Sequence, residues 1–425
     1  MNRPSPDELD FFTDRSFIRD PYPYFERLRE TCPIQREQYH DVVMVTGYEE
    51  AVAMFSDFAT FSSCNAMSGP FPGFPVPLEG DDVTDLVEAY RDRLPMSHEI
   101  TTMDPPKHSE YRALVARYLT PKHVNALETS VRSIADELID DLVERGECEF
   151  ISDFSGPFTL LNICALFGVP RSDHKAFVGE MLDPDRGLLT GTPSAGMAED
   201  PFAFLHERFE VYIADRMTAP RDDVMTKLVT TPFPDGSMPD LMDAVRLASI
   251  LFIAGIGATA GLLATALQIL GEDTALQQRL REDSMVIPNF VEETLRFDSE
   301  LKGTFRFSRI TKTVGDVEIP AGSTVMLLIG AANRDPLRFE NPNEFRTDRP
   351  NARQHLAFGR GPHLCLGAPL ARVEARIGIE RMLARFAAIE ISESAHGPPG
   401  DRTYKYVPAF LTRSLRRLHL DLTAA

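Results

Sequence analysis

The chain is poor in cysteine, with five among 425 residues. Cys32, Cys64, Cys148, Cys164 and Cys365 are scattered and odd in number, which argues against a disulfide framework. Lysine-rich runs are missing and the net charge is −20, which argues against a nucleic-acid binder. That acidity favours solubility and still leaves room for a local basic face. No run of about 18 uninterrupted apolar residues occurs, so no membrane span is expected. The opening "MNRPSPDELDFFTDRSF" lacks a basic start and an apolar stretch. No secretory signal is read there, and the expected compartment is the cytoplasm. Internal repeats and low-complexity tracts are missing too.

What is present is a large apolar complement. Hydrophobic residues make up 43% of the chain, enough for a sizeable core, and residues 1–425 read as one unit. Helical periodicity dominates. Apolar residues recur at steps of three and four over 123–146, closing on Gly146. A long apolar helix, rich in glycine and alanine, is predicted from Asp240, and two more cover "SMVIPNFVEETLRF" and "APLARVEARIGIERMLARF". Strand signals are fewer. They comprise an early pair around "PIQREQYHDVVMVTGY", a hairpin turning at 320–322 and a late region in "YKYVPAFLTRSLRRLHLDL". Residues 62–82 and 183–201 read as long loops, the usual form of lids and binding loops.

One cysteine stands apart. In "FGRGPHLCLGAPLARVE", Cys365 follows Gly361, precedes Gly367 and sits at the mouth of a helix. N–H donors and the positive end of a helix stabilise a thiolate. Gly361 and Gly367 permit a tight bend and close approach to a flat ligand, and Phe358 is placed to pack beside the sulfur. Three readings compete at this point. A zinc site needs about four ligands, and only His355 and His363 are near. A nucleophilic cysteine needs a base, which the sequence does not mark. An inert buried cysteine leaves the glycine spacing unexplained.

The pattern Phe358-x-x-Gly361-x-x-x-Cys365-x-Gly367 resembles the haem-ligand signature of the cytochrome P450 family of haem-thiolate monooxygenases. Further segments resemble the family in the same order, from about Asp20 to the end. The resemblance implies a mainly α fold with smaller β-sheets (α+β), a helix-rich lobe and a β-rich lobe enclosing haem b. It implies Cys365 as the iron ligand, with Phe358, Gly361 and Gly367 around it. "EETLRF" supplies Glu293 and Arg296, a pair sharing one helical face. The resemblance makes it a buried structural ion pair joined by Arg349 of "FENPNEFRTDRP". His108 and Arg112 of "MDPPKHSEYRALV", with Arg306 and His363, resemble partners of the haem propionates.

One departure concerns protons. The family carries an acid followed by threonine in its central helix, for proton delivery to reduced oxygen. Here the segment is Ala254-Gly255-Ile256-Gly257-Ala258-Thr259, so Gly257 and Ala258 occupy the acid and alcohol positions. Neither side chain carries a proton. Thr259 lies one residue later, about 100° around the helix, and serves only if Gly255 and Gly257 allow a distortion. A substrate hydroxyl, ordered water, peroxide as oxidant, or oxidative coupling of the substrate are the compensations considered.

By resemblance the substrate pocket lies opposite Cys365. It draws on Phe71, Phe74, Met96, Leu251, Ala254, Gly255, Ala258, Leu301, Thr304 and Phe410, a set suited to a neutral hydrophobic small molecule. Lys302 is the nearby cation, expected to face solvent. Electrons are expected from a ferredoxin and its ferredoxin reductase, docking at basic residues drawn from Lys107, Arg117, Lys122, Arg353, Arg360, Arg372 and Arg376. A monomer is expected, binding neither nucleic acid nor membrane. The rival classes are a haem protein without turnover and a metal-free helical protein.

Overall fold

Capping and periodicity account for the helices. The computed structural model describes residues 9–181 and 202–425, so the loop expected at 183–201 lies outside the described residues. The periodic segment forms Pro121–Asn125 and then the helix Glu128–Arg145. Its stripe of Val131, Ala135, Ile139 and Leu142 is buried. Gly146 closes the helix at φ 70°, a conformation free of Cβ strain only for glycine.

The apolar segment from Asp240 is two helices, not one: Leu241–Ala254 and Gly257–Glu272. Asp240 caps the first, accepting from the Asp243 N–H at 2.6 Å. At the break, the Gly255 N–H is shared between the Leu251 and Phe252 carbonyls, both at 3.2 Å. The Ile256 N–H turns to Ile253 O at 3.2 Å, the shorter pitch of a tightened turn. Regular bonding resumes at Ala260, whose N–H donates to Ile256 O at 3.1 Å. A Cβ at Gly255 would lie 2.8 Å from Ile163 Cδ1, so the small residue lets the break press against the helix Gly156–Phe167. The span Leu241–Glu272 is long and apolar enough to cross a membrane, yet 67% of its most apolar window is buried within the fold. It is the core helix around which Gly156–Phe167, Ile287–Phe297 and Ala368–Arg385 pack.

The strands are β1 Ile34–Arg36, β2 Val43–Val45, β3 Phe61–Ser62, β4 Glu147–Glu149, β5 Thr304–Ser308, β6 Lys312–Val314, β7 Val317–Ile319, β8 Thr324–Leu327, β9 Phe386–Ile391 and β10 His419–Ala424. The larger sheet has the order β1-β2-β8-β5-β3, with β2 and β8 parallel and the other pairs antiparallel. The early strand pair is β1–β2. The late hairpin differs from expectation: β7 pairs back onto β6, turning at Gly315 with φ 58°, the positive φ that a tight hairpin turn requires. The turn at 320–322 instead carries the chain into β8, beside β5. The late region makes single bridges, Leu301 to Thr412 and Tyr406 to Leu415, before β10 joins β4 and β9. This arrangement sets Arg306 on β5 and Cys365 just ahead of Ala368–Arg385.

Candidate active site

Cys365 sits on a short loop held by its own backbone. Its N–H donates to Phe358 O at 2.9 Å, and Gly367 caps the helix Ala368–Arg385. Gly361 has φ 69°, and a Cβ there would overlap the Phe55 carbonyl oxygen, so glycine is required on both counts. Gly367 is different: its φ is −77°, an ordinary helical value. The Cys365 side chain is accessible from one side and crowded by protein on the others. That crowding raises its thiol pKa; the N–H groups of Gly367 and Ala368 and the guanidiniums of Arg112 and Arg372 oppose the rise. The thiolate therefore has donors waiting at a helix mouth. A cavity of about 570 Å³ opens here, lined by Arg112, Phe358, Gly361, Leu364, Cys365 and Arg372 among others. Among the described residues, no three His, Cys, Asp or Glu side chains converge as a metal-ion site, which removes the zinc reading.

Four cationic or imidazole groups come together near the same loop. The rings of His108 and His363 stack with centroids 3.9 Å apart. His108 Nδ1 and His363 Nε2 are buried without partners. Arg306 is 5% exposed, and its Nη1 donates only to the neighbouring Phe305 O at 2.6 Å. Arg112 donates to Leu364 O at 2.7 Å. Burial first, then Arg112, holds His108 down to about 4; burial first, then Arg306, holds His363 down to about 2. Burial likewise takes Arg306 down to about 10. The nearest carboxylate, Asp104, is already engaged by Arg91 at 2.7 Å and by Ser62 and the Ser63 N–H. Buried donors without an anion fit a group carrying two carboxylates, and a sulfur ligand beside them fits its iron. The residues present thus fit haem b.

Behind the loop lies a buried ion cluster. Arg296 Nε and Nη2 each donate to a Glu293 oxygen at 2.7 Å, and Arg349 Nε reaches both oxygens at 3.0 and 3.1 Å. The remaining guanidinium protons go to carbonyls: Arg296 serves Asn333, Pro342 and Glu344, and Arg349 serves Glu340, Asn341 and Glu344. A second network was not read from the sequence. Glu292 accepts from Arg372 Nε at 2.6 Å and lies 3.0 Å from His355 Nε2. Burial alone would raise the Glu292 pKa, but His355 and Arg372 take it down to about 2. Nor did periodicity distinguish Glu374, nine residues past Cys365. It is 1% exposed, neither carboxyl oxygen has a partner, and burial raises its pKa well above normal.

Part of the core helix is bare. Ala254, Gly257 and Ala258 are exposed in the middle of an otherwise buried helix. Thr259 is 5% exposed and turned away from them. The helix is indeed distorted, but the break falls before Gly257, so 257–259 keep regular helical spacing and Thr259 does not reach the open face. Of the residues assigned to the pocket, Leu301 is exposed and Leu251, Gly255, Thr304, Met96, Phe71 and Phe74 are half-buried. Met96 holds φ 59°, its carbonyl pinned by Thr102 Oγ1 at 2.6 Å and the Glu99 N–H at 2.9 Å. Phe410 is buried among Phe12 and Phe305, Phe71 packs edge-on to Phe12, and Phe74 stacks on Phe307. Each of the three thus packs against at least one other aromatic ring. Lys302, expected at the surface, is 2% exposed, and its Nζ donates to Ala409 O at 2.6 Å. The proposed basic face also thins: Arg372 is spent on Glu292, Arg376 pairs with Glu128 at 2.7 Å and Glu380 at 3.0 Å, and Arg117 bonds Thr231.

Similarity to known proteins agrees with this site. A family model described as Cytochrome P450 matches residues 234–407. Cytochrome P450 144 of Mycobacterium tuberculosis is 32% identical over 95% of this chain and 89% of its own length. The 6-deoxyerythronolide B hydroxylase of Saccharopolyspora erythraea is 31% identical over 89% of this chain and 92% of its own. The substrate-free structure of Mycobacterium marinum cytochrome P450 CYP150A6 superposes with a TM-score of 0.91 at 46% identity, covering 99% of this chain and 100% of that one. A cysteine held by helix-mouth donors, a buried cluster fit for two carboxylates, and relatives matching along nearly the whole chain lead to one conclusion: this chain belongs to the cytochrome P450 family of haem b enzymes.

Proposed function

We propose that this enzyme inserts one oxygen atom of dioxygen into a hydrophobic small organic molecule, drawing electrons from a separate ferredoxin and its ferredoxin reductase. We read residues 1–425 as one catalytic domain, monomeric and cytoplasmic. The observation that carries the reading is the placing of Cys365, with two N–H donors and two guanidiniums near it, beside buried Arg306 and the partnerless ring nitrogens of His108 and His363. A relative named as a hydroxylase supports oxygen insertion as the outcome.

Haem b, when bound, supplies the iron at which dioxygen is reduced and its O–O bond broken. Cys365 would hold that iron through Sγ, with the Gly367 and Ala368 N–H groups, Arg112 and Arg372 favouring the thiolate against the effect of burial. His108, His363, Arg112 and Arg306 would take the two carboxylates, and the Glu293–Arg296–Arg349 cluster fixes the backbone behind the loop. Ala254, Gly257, Ala258 and Leu301 leave an apolar, roomy face for the substrate. With Lys302 bonded to Ala409 O, no free cation marks a clamp for an anionic substrate among the pocket residues named here. Lys107, Lys122 and Arg360, with Arg353, which also pairs with Glu292 at 3.4 Å, are the exposed cations of that set for an acidic electron donor.

Gly257 and Ala258 supply no proton, so the protons come from elsewhere. Hydrogen peroxide as oxidant, which brings its own protons, is the second reading, and it rests on those two residues. A library of hydrophobic compounds, screened by shift of the haem spectrum, identifies a ligand. Its turnover is then compared with ferredoxin, reductase and dioxygen against hydrogen peroxide alone. Faster ferredoxin-driven product formation supports the proposal; product formed only with peroxide overturns it.

A further inference from the structure

On the open face of the core helix, one turn beyond Ala258, lies a carboxyl group from another part of the chain. Ala254, Gly257 and Ala258 flank the break, and Gly261 follows Gly257 and Ala258 at i+4 and i+3 on one helical face. The first three are exposed and Gly261 is half-buried, while 262–267 are buried. Glu300, three residues past the helix Ile287–Phe297, lies against Gly261, where a Cβ would overlap its carboxyl group. One Glu300 oxygen shares a hydrogen bond with Ser414, and the other, Oε2, has no partner. Glu300 and Ser414 are partly accessible as residues, while Oε2 itself is buried against the helix.

The surrounding charges are few and mostly committed. Arg413 pairs with Asp298 at 2.7 Å, and Lys302 donates to Ala409 O. Between Arg246 and Glu272, the latter bound by Arg402 and Tyr404, the core helix carries no ionisable side chain. Burial is therefore the main influence on Glu300 and raises its pKa to about 7, with Asp298 adding to the rise and Ser414, Arg413 and Lys302 opposing it. Such a carboxyl is available as an acid near neutral pH.

We propose that Glu300 is the proton donor for oxygen activation in this enzyme, acting through water along the face of Gly257, Ala258 and Gly261 in place of an acid–alcohol pair on the helix. The inference rests on the monooxygenase reading. Dioxygen, two electrons from the external donor, two protons and the substrate C–H give a C–OH product and water. The Glu300 carboxylic acid releases its proton to the oxygen being reduced, becomes a carboxylate, and is reprotonated from solvent on the Ser414 side.

The test uses the holoenzyme and its Glu300→Gln, Glu300→Asp and Glu374→Gln variants. Each is first checked for the carbon monoxide spectrum of a thiolate-ligated haem, then for product formed per electron pair, its pH profile, and the infrared band of a protonated carboxylic acid. The wild-type band titrates near pH 7 and is lost in Glu300→Gln. Coupling falls about tenfold or more in that variant, its pH dependence flattens, and Glu300→Asp recovers part of the loss. Unchanged coupling and an unchanged infrared titration in Glu300→Gln, with the carbon monoxide spectrum intact, overturn the inference and leave the monooxygenase reading standing. So does a loss confined to Glu374→Gln. Failure of the wild-type carbon monoxide spectrum overturns the reading beneath it.

Discussion

Arg349 Nε lies 3.0 and 3.1 Å from the two carboxylate oxygens of Glu293, which Arg296 also grips through two nitrogens at 2.7 Å. All three side chains are at most 2% exposed, so no solvent stands in for a charge that is removed. Replacing both charge signs by well-packed apolar groups is often tolerated in proteins, but removing one partner strands the rest. Arg349→Ala should therefore cost about 3–5 kcal/mol of stability, read as a lowered denaturation midpoint together with loss of haem on gel filtration.

The neighbouring Glu292 gives stability an acid limit. Its ordinary carboxyl pKa of 4.5 falls to about 2 in the folded chain, where His355 and Arg372 outweigh the cost of burial. A depressed acid contributes stability above its unfolded pKa and loses it as pH falls through the folded one. The contribution, about 3 kcal/mol at most, should be complete above roughly pH 5 and vanish toward pH 2. Equilibrium denaturation of Glu292→Gln should be less stable than wild type at pH 7, with the gap closing as the pH is lowered.

Gly361 tests the cysteine loop by shape alone. Gly361→Ala must hold φ 69° with a Cβ pressed on the Phe55 carbonyl. Such strain costs about 1–3 kcal/mol, and the backbone contact adds to it. Haem content per polypeptide should fall sharply in this variant, whereas Gly367→Ala, at an ordinary φ of −77°, should retain more.

The bare helix face predicts a gain. A Cβ at Gly257 meets nothing within 4 Å, so a side chain fits there. The double variant Gly257→Asp, Ala258→Thr should raise product formed per electron pair, and more strongly when Glu300 is replaced by glutamine. An unchanged ratio in both backgrounds would place the proton route away from this face.

Much of this was legible in the chain because the signals are local. Phe358, Gly361 and Cys365 lie within eight residues, and Glu293 and Arg296 share a single helical turn. The hidden parts depend on residues brought together from afar. Nothing in the local sequence announces that Glu300 fills the place left by Gly261, or that Glu292 meets both His355 and Arg372. The break at Gly255–Ile256 was invisible because both halves share one apolar character. Lys302 was misplaced for a similar reason, since a lysine reads as a surface residue until its carbonyl partner, Ala409, folds over it. Phe71, Phe74 and Phe410 illustrate the ambiguity of aromatics, which pack against other rings as readily as against a ligand.

The central claim is the bond between sulfur and iron at residue 365. Reduced holoenzyme exposed to carbon monoxide tests it directly. The account requires the strongly red-shifted Soret band of thiolate ligation in the wild type and its disappearance in Cys365→Ser. A wild-type carbonyl complex with an unshifted band, or a Cys365→Ser spectrum identical to the wild type, would contradict it.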